Sequence, residues 1–253
     1  MKALAEDEIS HYNDRGYLIV NNVLTDDELE ALRERTADIA NGKVEFPASS
    51  VEFEPGADGN RSLATVRKIN AAEEDPIFLS HAANTKILDL IERLIGPDLK
   101  LFGCQIFMKP PGGVEKPYHQ DSPYFTIEPM ALVTCWTALD DVTVDNGCLW
   151  VVPGSHRLGV FDHSEAWMIG DRQDMRVPRA KIDHNAETPL IMRAGSCSLH
   201  HSLLLHGSRP NRTTQSRRGF AAHYMSAQSR WTHATQPQPS YRLLRGREYP
   251  GCV

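Results

Sequence analysis

The chain has 253 residues, of which 41% are hydrophobic and 24% are charged, and it carries a formal net charge of −6 at pH 7. This composition excludes a disordered or low-complexity chain, and the negative charge argues against general nucleic-acid binding. No apolar run approaches the roughly 20 residues needed to span a bilayer, so we expect no membrane segment. All-β barrels of this size commonly form one domain, and we expect a single domain over residues 1–253.

Two further observations concern the cellular compartment. The N-terminal segment Met1–Glu8 lacks the hydrophobic stretch of a secretory signal. The five cysteines are an odd number and form no CxxC pair, which fits neither a disulfide framework nor a structural zinc site. We therefore expect free thiols and a cytoplasmic protein.

The N-terminal part of the chain predicts two helices. Residues Asp7–Arg15 have a helical pattern, and the apolar strand pattern Tyr17–Val20 follows. Thr25 and Glu28 have the spacing of a capping box, in which the Thr hydroxyl accepts from an amide of the first turn and the Glu carboxylate reaches back. The helix that begins there is expected to run to about Ile39.

The next segment, Lys43–Asn70, contains two prolines and two glycines and has no clear period. It predicts a long irregular connection that enters a strand near Leu63–Ile69. A loop of this length is often functional, for instance as a lid. Two short helices are predicted after it, over Asp75–Leu79 and Thr85–Leu94.

After these helices the pattern changes to short strands joined by Gly and Pro turns. The predicted strands are Leu99–Lys109, Tyr118–Asp121, Leu132–Leu139, Leu149–Val152, Pro189–Met192, Ser196–Leu205 and Arg217–Met225. Helices followed by many short strands predict a mainly β fold with flanking helices, in which a helical layer packs on a double-sheet jelly roll. At the mouth of such a barrel, side chains from different strands meet.

His119 and Asp121 are candidate metal ligands within one of these strands. Residues i and i+2 of a strand project to the same face, so the imidazole and the carboxylate can converge on one metal ion. A second pair with similar spacing, His163 and Glu165, lies in a polar insertion between residues 156 and 186. No strand pattern surrounds that pair, and we expect the insertion to be a loop near the barrel mouth.

A third ligand is expected on a later strand, where His206 is the best candidate and His200 and His201 compete with it. Strand alternation places His200 and His206 on one face and excludes only His201. Two neutral imidazoles and one carboxylate form the facial triad of non-haem Fe(II) oxygenases, which leaves positions open for a cosubstrate and O2. The sequence therefore predicts an iron site formed by His119, Asp121 and His206.

Three ordered motifs extend this pattern: the HxD pair, the segment Asn-Gly-Cys-Leu-Trp-Val-Val-Pro-Gly-Ser-His at 146–156, and His-Gly-Ser-Arg-Pro-Asn-Arg at 206–212, with Arg217 eleven residues after His206. Together they resemble the phytanoyl-CoA dioxygenase family of Fe(II)- and 2-oxoglutarate-dependent oxygenases. The resemblance covers Tyr17 to Tyr224. It implies a cupin-like double-stranded β-helix that uses Fe(II), 2-oxoglutarate and O2 and releases succinate and CO2 while hydroxylating an aliphatic C–H bond.

The resemblance also implies which residues bind the cosubstrate. Arg217 is the candidate for its distal carboxylate, because a guanidinium donates two parallel hydrogen bonds to a carboxylate. Arg218 should face the other way, and Ser208 either adds a hydroxyl bond or serves a turn. Motif order further implies Lys68, Gln105 and Trp136 as lining residues of the 2-oxoglutarate pocket, where Lys68 could instead be an exposed strand lysine and Trp136 a core residue.

The substrate is expected to be a small molecule. The stretch from Gly207 to Val253 contains eight Arg, no Lys and one acid, Glu248. It is either a solvated surface or a positive rim that attracts an anionic substrate. Four aromatic residues are candidates to line the substrate cavity: Phe107, Tyr118, Tyr124 and Trp231.

Asp121 bears on the type of reaction. Halogenases related to the resembled family lack this carboxylate so that chloride can bind the iron, and its presence here favours hydroxylation. Two other function classes remain open from the residues. The same three ligands could serve a cupin-like zinc or manganese metalloenzyme, because geometry and metal supply set the metal. The chain could also be a non-catalytic 2-oxoglutarate-binding protein.

Overall fold

The computed structural model describes residues 4–169 and 172–253. Within them, the four α-helices are α1 Glu6–Arg15, α2 Asp26–Ala40, α3 Pro76–Ala82 and α4 Thr85–Ile95. The predicted capping box begins α2: the Glu28 amide donates to the Thr25 hydroxyl, and the Thr25 amide donates to the Glu28 carboxylate at 2.8 Å. Helix α1 ends at Gly16, whose φ of 82° suits a residue without a Cβ. The helical predictions are confirmed.

The strands of the described residues are, in chain order, β1 Tyr17–Val20, β2 Val51–Phe53, β3 Val66–Asn70, β4 Leu99–Lys109, β5 Lys116–His119, β6 Ile127–Glu128, β7 Val133–Ala138, β8 Leu149–Val151, β9 Glu165–Ile169, β10 Arg172–Arg176, β11 Thr188–Leu190, β12 Cys197–His201, β13 His206–Ser208, β14 Arg217–Ser226, β15 Arg230–Trp231 and β16 Arg242–Arg245. The main sheet has the order β1-β12-β7-β14-β4-β3-β2, with β16 also paired to β4. A smaller sheet has the order β11-β8-β13-β5. The two antiparallel sheets form the predicted jelly roll.

Strand β14 shows how the main sheet separates the core from the interior of the barrel. Phe220 and Tyr224 face the helices and belong to the largest hydrophobic cluster, in which the ring of Phe220 lies 5.7 Å from that of Phe78 in α3. The Tyr224 hydroxyl donates to the Ala82 carbonyl at 2.9 Å. Because side chains alternate along a strand, the odd-numbered residues of β14 face the space between the two sheets.

The prediction of a strand over Tyr118–Asp121 is wrong at its end. Strand β5 stops at His119, and Asp121 has helical dihedral angles, φ −75° and ψ −43°, at the start of a short 3-10 turn. Pro123, in the first turn of that element, cannot donate a ladder hydrogen bond, which favours the change from strand to turn. The His119 and Asp121 side chains therefore do not converge by strand alternation.

The predicted strand Ser196–Leu205 is also divided. Strand β12 ends at His201 in the main sheet, and β13 begins at His206 in the smaller sheet. The residues between them form a turn in which the Leu204 amide donates to the His201 carbonyl at 2.8 Å. A single alternating strand from His200 to His206 is thus wrong, because the chain crosses from one sheet to the other.

Two irregular segments contain more strand than predicted. The connection Lys43–Asn70 includes β2, which pairs with β3. The insertion between residues 156 and 186 includes the antiparallel strands β9 and β10 rather than being only a loop, and Glu165 begins β9. The Val177 amide donates to the Tyr118 carbonyl at 2.9 Å, so the end of β10 lies next to the strand that carries His119.

Two other expectations concern the whole chain. Among the helices that the described residues form, none is both long enough and apolar enough to cross a membrane. All five cysteines lie in the described part of the chain and are free thiols, as predicted, and four of them are buried.

Candidate active site

His119 and His206 face each other across the smaller sheet. They are directly paired residues of β5 and β13, and their ring centroids lie 4.3 Å apart. Asp121 joins them from the turn after β5, where its amide donates to the Ser202 carbonyl at 2.8 Å. Its Oδ1 lies 3.7 Å from Nε2 of His119 and 3.6 Å from Nε2 of His206. The three ligand atoms lie within 4.8 Å of one another, a separation that one metal ion can bridge.

The two histidines are oriented through their other ring nitrogen. Nδ1 of His119 lies 2.9 Å from the Pro117 carbonyl, and Nδ1 of His206 lies 2.9 Å from the Leu204 carbonyl. A carbonyl only accepts, so each Nδ1 carries the proton and donates. Each Nε2 therefore carries a lone pair that points towards Asp121. Histidines that bind metals have this arrangement.

Burial favours the protonation states that bind metal. It lowers the pKa of His119 well below its ordinary value and that of His206 to about 4, so both rings are neutral at neutral pH. Burial raises the pKa of Asp121, but the neighbouring His206, His200 and His223 outweigh it, and the net pKa lies well below the usual value. Two neutral imidazoles and one carboxylate fit a divalent cation.

The competing histidines lie outside the group suited to a metal. His200 lines the same cavity, but its Nε2 is 3.6 Å from the other oxygen of Asp121, Oδ2. His201 accepts from the Leu203 amide through Nδ1 at 3.0 Å. In the second candidate pair, Nε2 of His163 accepts from the Gln120 amide at 3.0 Å and is already used. Among the described residues, the group suited to a metal is the predicted one, with His206 as its third member.

A cavity of about 370 Å³ adjoins the three candidate ligands. At one end lies Arg217, which is 2% exposed and whose guanidinium carbon lies 5.3 Å from the centre of the Trp136 ring. Its Nη2 donates to the Gly147 carbonyl at 2.7 Å, and its Nε finds no hydrogen-bond partner among the described residues. Arg218 faces away from the cavity and pairs with Asp140 at 2.8 Å. The buried guanidinium has donor capacity suited to an anionic ligand.

Ser208 lines this end of the cavity together with Lys109, which sequence reasoning missed. The Lys109 ammonium donates to the Ser208 hydroxyl at 2.8 Å and to the carbonyls of Val114 and Arg209 at 2.9 and 2.7 Å. These three bonds use all of its protons, so the Ser208 oxygen accepts and its own proton remains available to a ligand. Strand alternation could have identified Lys109, because it lies on the same face of β4 as Gln105, a predicted pocket residue.

Trp136 packs over a glycine of the neighbouring strand β14. It is 3% exposed and lines the cavity beside Arg217. A Cβ at position 219 would overlap the Trp136 ring at Cζ2 and Cε2. Only glycine therefore leaves space for the indole, which in turn supports the guanidinium face.

The remaining predicted pocket residues divide into two groups. Lys68, Gln105, Phe107 and Tyr124 line the cavity, and Nζ of Lys68 lies 5.2 Å from the centre of the Phe107 ring. Tyr118 and Trp231 do not line it. Tyr118 packs in a hydrophobic cluster that includes Val177 and Leu205, and Trp231 packs in another that includes Ile127.

The arginine-rich C-terminal stretch does not form a rim of the cavity. Of its eight arginines, all of which the structure describes, only Arg217 lines the cavity. Arg209 pairs with Glu187, and Arg245 pairs with Asp89 and Glu92. The positive charge of the cavity comes mainly from earlier residues, namely Arg67, Lys68, Lys109 and Lys116, against the acids Glu54, Glu115 and Asp121.

Comparisons with known proteins identify a family. The family model for phytanoyl-CoA dioxygenase (PhyH) matches residues 12–219. A probable phytanoyl-CoA dioxygenase of Caenorhabditis elegans is 30% identical over 240 residues, which cover 87% of this chain and 75% of the relative.

Solved structures share the fold. The epimerase SnoN from nogalamycin biosynthesis, in complex with Fe3+, alpha ketoglutarate and nogalamycin RO, is 25% identical and superimposes with a TM-score of 0.74, covering 95% of this chain and 98% of SnoN. EctD from S. alaskensis, with 2-oxoglutarate and 5-hydroxyectoine, is 20% identical with a TM-score of 0.76, covering 98% and 86% of the two chains. At that identity the likeness to EctD shows the fold alone.

Proposed function

This chain belongs to the phytanoyl-CoA dioxygenase family, whose members use Fe(II), 2-oxoglutarate and O2, and we propose that it hydroxylates an aliphatic C–H bond of a small molecule with release of succinate and CO2. The observation that carries this proposal is the convergence of two neutral imidazoles and one carboxylate within 4.8 Å at the wall of a partly open cavity. Such a triad leaves coordination positions for the cosubstrate and O2.

In this proposal His119, Asp121 and His206 hold Fe(II). When bound, the iron and 2-oxoglutarate activate O2, and the cosubstrate is decarboxylated while the substrate is oxidised. The role of the chain is to bind, to orient and to exclude water. All three proposed ligands are less than 10% exposed, and the cavity beside them is lined on its remaining walls by aromatic and charged side chains.

Arg217 is proposed to bind the distal carboxylate of 2-oxoglutarate, with Ser208 as a second donor. Three facts support it: the guanidinium is buried, one of its nitrogens has no partner among the described residues, and Lys109 orients the Ser208 hydroxyl as a donor. A buried cation without an anion is costly, and a bound carboxylate would remove that cost. Gln105 and Trp136 are proposed to line the same pocket.

The primary substrate is proposed to be anionic. Five cations and three acids line the cavity, and Fe(II) and the 2-oxoglutarate dianion would together add no net charge. Glu52 pairs with Arg67 and Lys68 at 3.7 and 4.0 Å, so one positive charge would remain after both have bound, which favours a negatively charged substrate. Arg67 and Lys116 are the cations proposed to contact it, since both line the cavity and lie beside the same ring, that of Trp167, at 5.6 and 5.4 Å.

The presence of Asp121 supports hydroxylation over halogenation, because the carboxylate occupies the position that a halide would need. Epimerisation is the second candidate reaction, favoured by the likeness to SnoN at 25% identity. Mass spectrometry separates the two: hydroxylation adds one oxygen atom to the product, and epimerisation leaves its mass unchanged. A cytoplasmic location remains a prediction that cell fractionation can test.

The first experiment is an anaerobic titration of the metal-free protein with Fe(II) and 2-oxoglutarate. A weak visible charge-transfer band that decays on admission of O2, with succinate formed, is the expected result. Tight zinc or manganese binding without that band would instead support the cupin-like metalloenzyme. A band that persists under O2 with each candidate substrate, and no succinate, would support a non-catalytic 2-oxoglutarate-binding protein.

A further inference from the structure

The two oxygens of the Asp121 carboxylate have different surroundings. Oδ1 is the oxygen near Nε2 of both His119 and His206. Oδ2 lies on the other side and accepts a hydrogen bond of 2.9 Å from the Thr134 hydroxyl. Nε2 of His200 is 3.6 Å from Oδ2, too far for a hydrogen bond. Among the described residues, Thr134 is therefore the close side-chain donor to the oxygen that faces away from the metal position.

His223 in turn forms a hydrogen bond with Thr134. Its Nδ1 lies 2.8 Å from the Thr134 hydroxyl oxygen. A threonine hydroxyl has one proton, and here that proton is donated to the carboxylate, which has none to give. The bond to His223 must therefore run the other way, with the histidine donating from Nδ1. A chain of donors runs from His223 through Thr134 to Asp121.

The sheet register produces this chain. Thr134 of β7 is paired with His223 of the neighbouring strand β14, and both side chains lie beneath Asp121 on the cavity face. Thr134 is 2% exposed and His223 is 4% exposed. Both residues are shielded from bulk solvent, so their hydrogen bonds restrict the Asp121 carboxylate more than exposed bonds would.

We propose that Thr134 and His223 are positioning residues that restrict Asp121 to binding the metal through one oxygen. The inference rests on the proposed function, because it concerns the same metal site. A carboxylate that is free to rotate can bind a metal through both oxygens. The second oxygen would then occupy a position that 2-oxoglutarate or O2 needs. With Oδ2 held by Thr134, Asp121 offers Oδ1 alone.

The test compares two substitutions at Thr134. Thr134→Val keeps the shape and removes the hydroxyl, whereas Thr134→Ser keeps the hydroxyl. Calorimetry measures the affinity of the metal-free proteins for Co(II), the visible spectrum of bound Co(II) reports its coordination, and titration of the Co(II)-loaded proteins with 2-oxoglutarate reports the open positions. We expect Thr134→Val to weaken Co(II) binding about 10- to 100-fold, to alter the spectrum and to weaken 2-oxoglutarate binding, and Thr134→Ser to resemble the wild type.

Two substitutions at His223 test the direction of the chain and remain informative if Thr134→Val does not fold. The amide of Asn can place an N–H near the position of Nδ1, and that of Gln near Nε2. His223→Asn should therefore retain more of the wild-type Co(II) affinity and spectrum than His223→Gln. The reverse order would overturn the proposal, because His223 would then act through Nε2.

The outcomes separate this inference from the proposed function. If the wild type does not bind Co(II) or Fe(II), the proposed function itself is wrong. If the wild type binds Co(II) and folded Thr134→Val binds it with the same affinity, spectrum and 2-oxoglutarate response, the proposed function stands and the positioning role is wrong.

Discussion

The rings of His119 and His206 lie 4.3 Å apart because the two residues are directly paired on neighbouring antiparallel strands. Each ring is fixed through Nδ1 by a backbone carbonyl two residues earlier, and each directs Nε2 to the same oxygen of Asp121. The proposed metal position is therefore set by the pairing of two strands and by the turn that carries Asp121.

Replacing His206 by Ala should abolish iron-dependent turnover. It should also weaken Co(II) binding by more than roughly 100-fold, the largest loss usual for a residue that only hydrogen-bonds to a metal ligand. The reason is that Nε2 of His206 is proposed to bind the metal directly. Calorimetry with Co(II) measures the loss. His201→Ala is the matched control, since His201 lies on the same connection but outside the metal group. Equal losses in both variants would contradict the assignment of His206.

Replacing Arg217 by Ala should weaken 2-oxoglutarate binding by about 2–5 kcal/mol, the usual range for truncating one partner of a buried charge pair. Arg217→Lys should retain only part of the wild-type affinity for 2-oxoglutarate, because an ammonium lacks the planar pair of donors of a guanidinium. Titration of the Fe(II)-loaded protein under anaerobic conditions gives the affinity. Arg218→Ala serves as the control: it removes the pair with Asp140 on the other face and should leave cosubstrate affinity unchanged.

Replacing Gly219 by Ala should displace the Trp136 indole, because a Cβ at this position would overlap the ring. We expect a loss of about 1–3 kcal/mol in the free energy of unfolding, as for other overpacked cores. 2-Oxoglutarate binding should weaken as well, because Arg217 loses the aromatic face beside it. Urea denaturation measures the first effect and anaerobic titration the second. Adding Trp136→Ala should relieve the overlap, and a double variant less stable than both single variants would argue against this explanation.

The free energy of unfolding of the metal-free protein should fall as the pH decreases from about 6.5 to about 4. Burial lowers the pKa of His81 to about 4, and the same cause lowers those of His201 and His223 to about 4. In the unfolded chain these rings protonate near pH 6.5, so between pH 6.5 and 4 the unfolded state binds more protons and is favoured. Below about pH 4 both states are protonated and this contribution becomes constant.

His81 offers a way to test this pH dependence outside the metal site. Its Nε2 lies 3.1 Å from the Thr137 hydroxyl, and its ring packs on Phe220. His81→Gln keeps a polar group near Nε2 but does not titrate in this range, so the decrease between pH 6.5 and 4 should be smaller. Urea denaturation series at several pH values compare the two slopes. Identical slopes would mean that His81 contributes nothing to the pH dependence.

Local sequence signals determined the elements and the family. The capping box of Thr25 and Glu28, the glycine at the end of α1 and the apolar patterns of β4 and β14 depend on neighbouring residues only, so they were readable directly. The ordered motifs around His119, Asn146 and His206 identified the family that the model match over residues 12–219 shows. Composition and element order were sufficient for the jelly roll.

Only the tertiary structure decided how the site residues meet. His119 and Asp121 converge because β5 ends and a turn begins, and His206 reaches them because the chain crosses between sheets after His201. Neither event follows from strand alternation, which assumes an unbroken strand. Lys109, Thr134 and His223 were missed because the bonds that join Lys109 to Ser208 and Arg209, and Thr134 to His223, connect residues 89 to 100 positions apart. Pairing between distant strands creates such contacts, and the spacing of residues in the sequence does not reveal which strands pair.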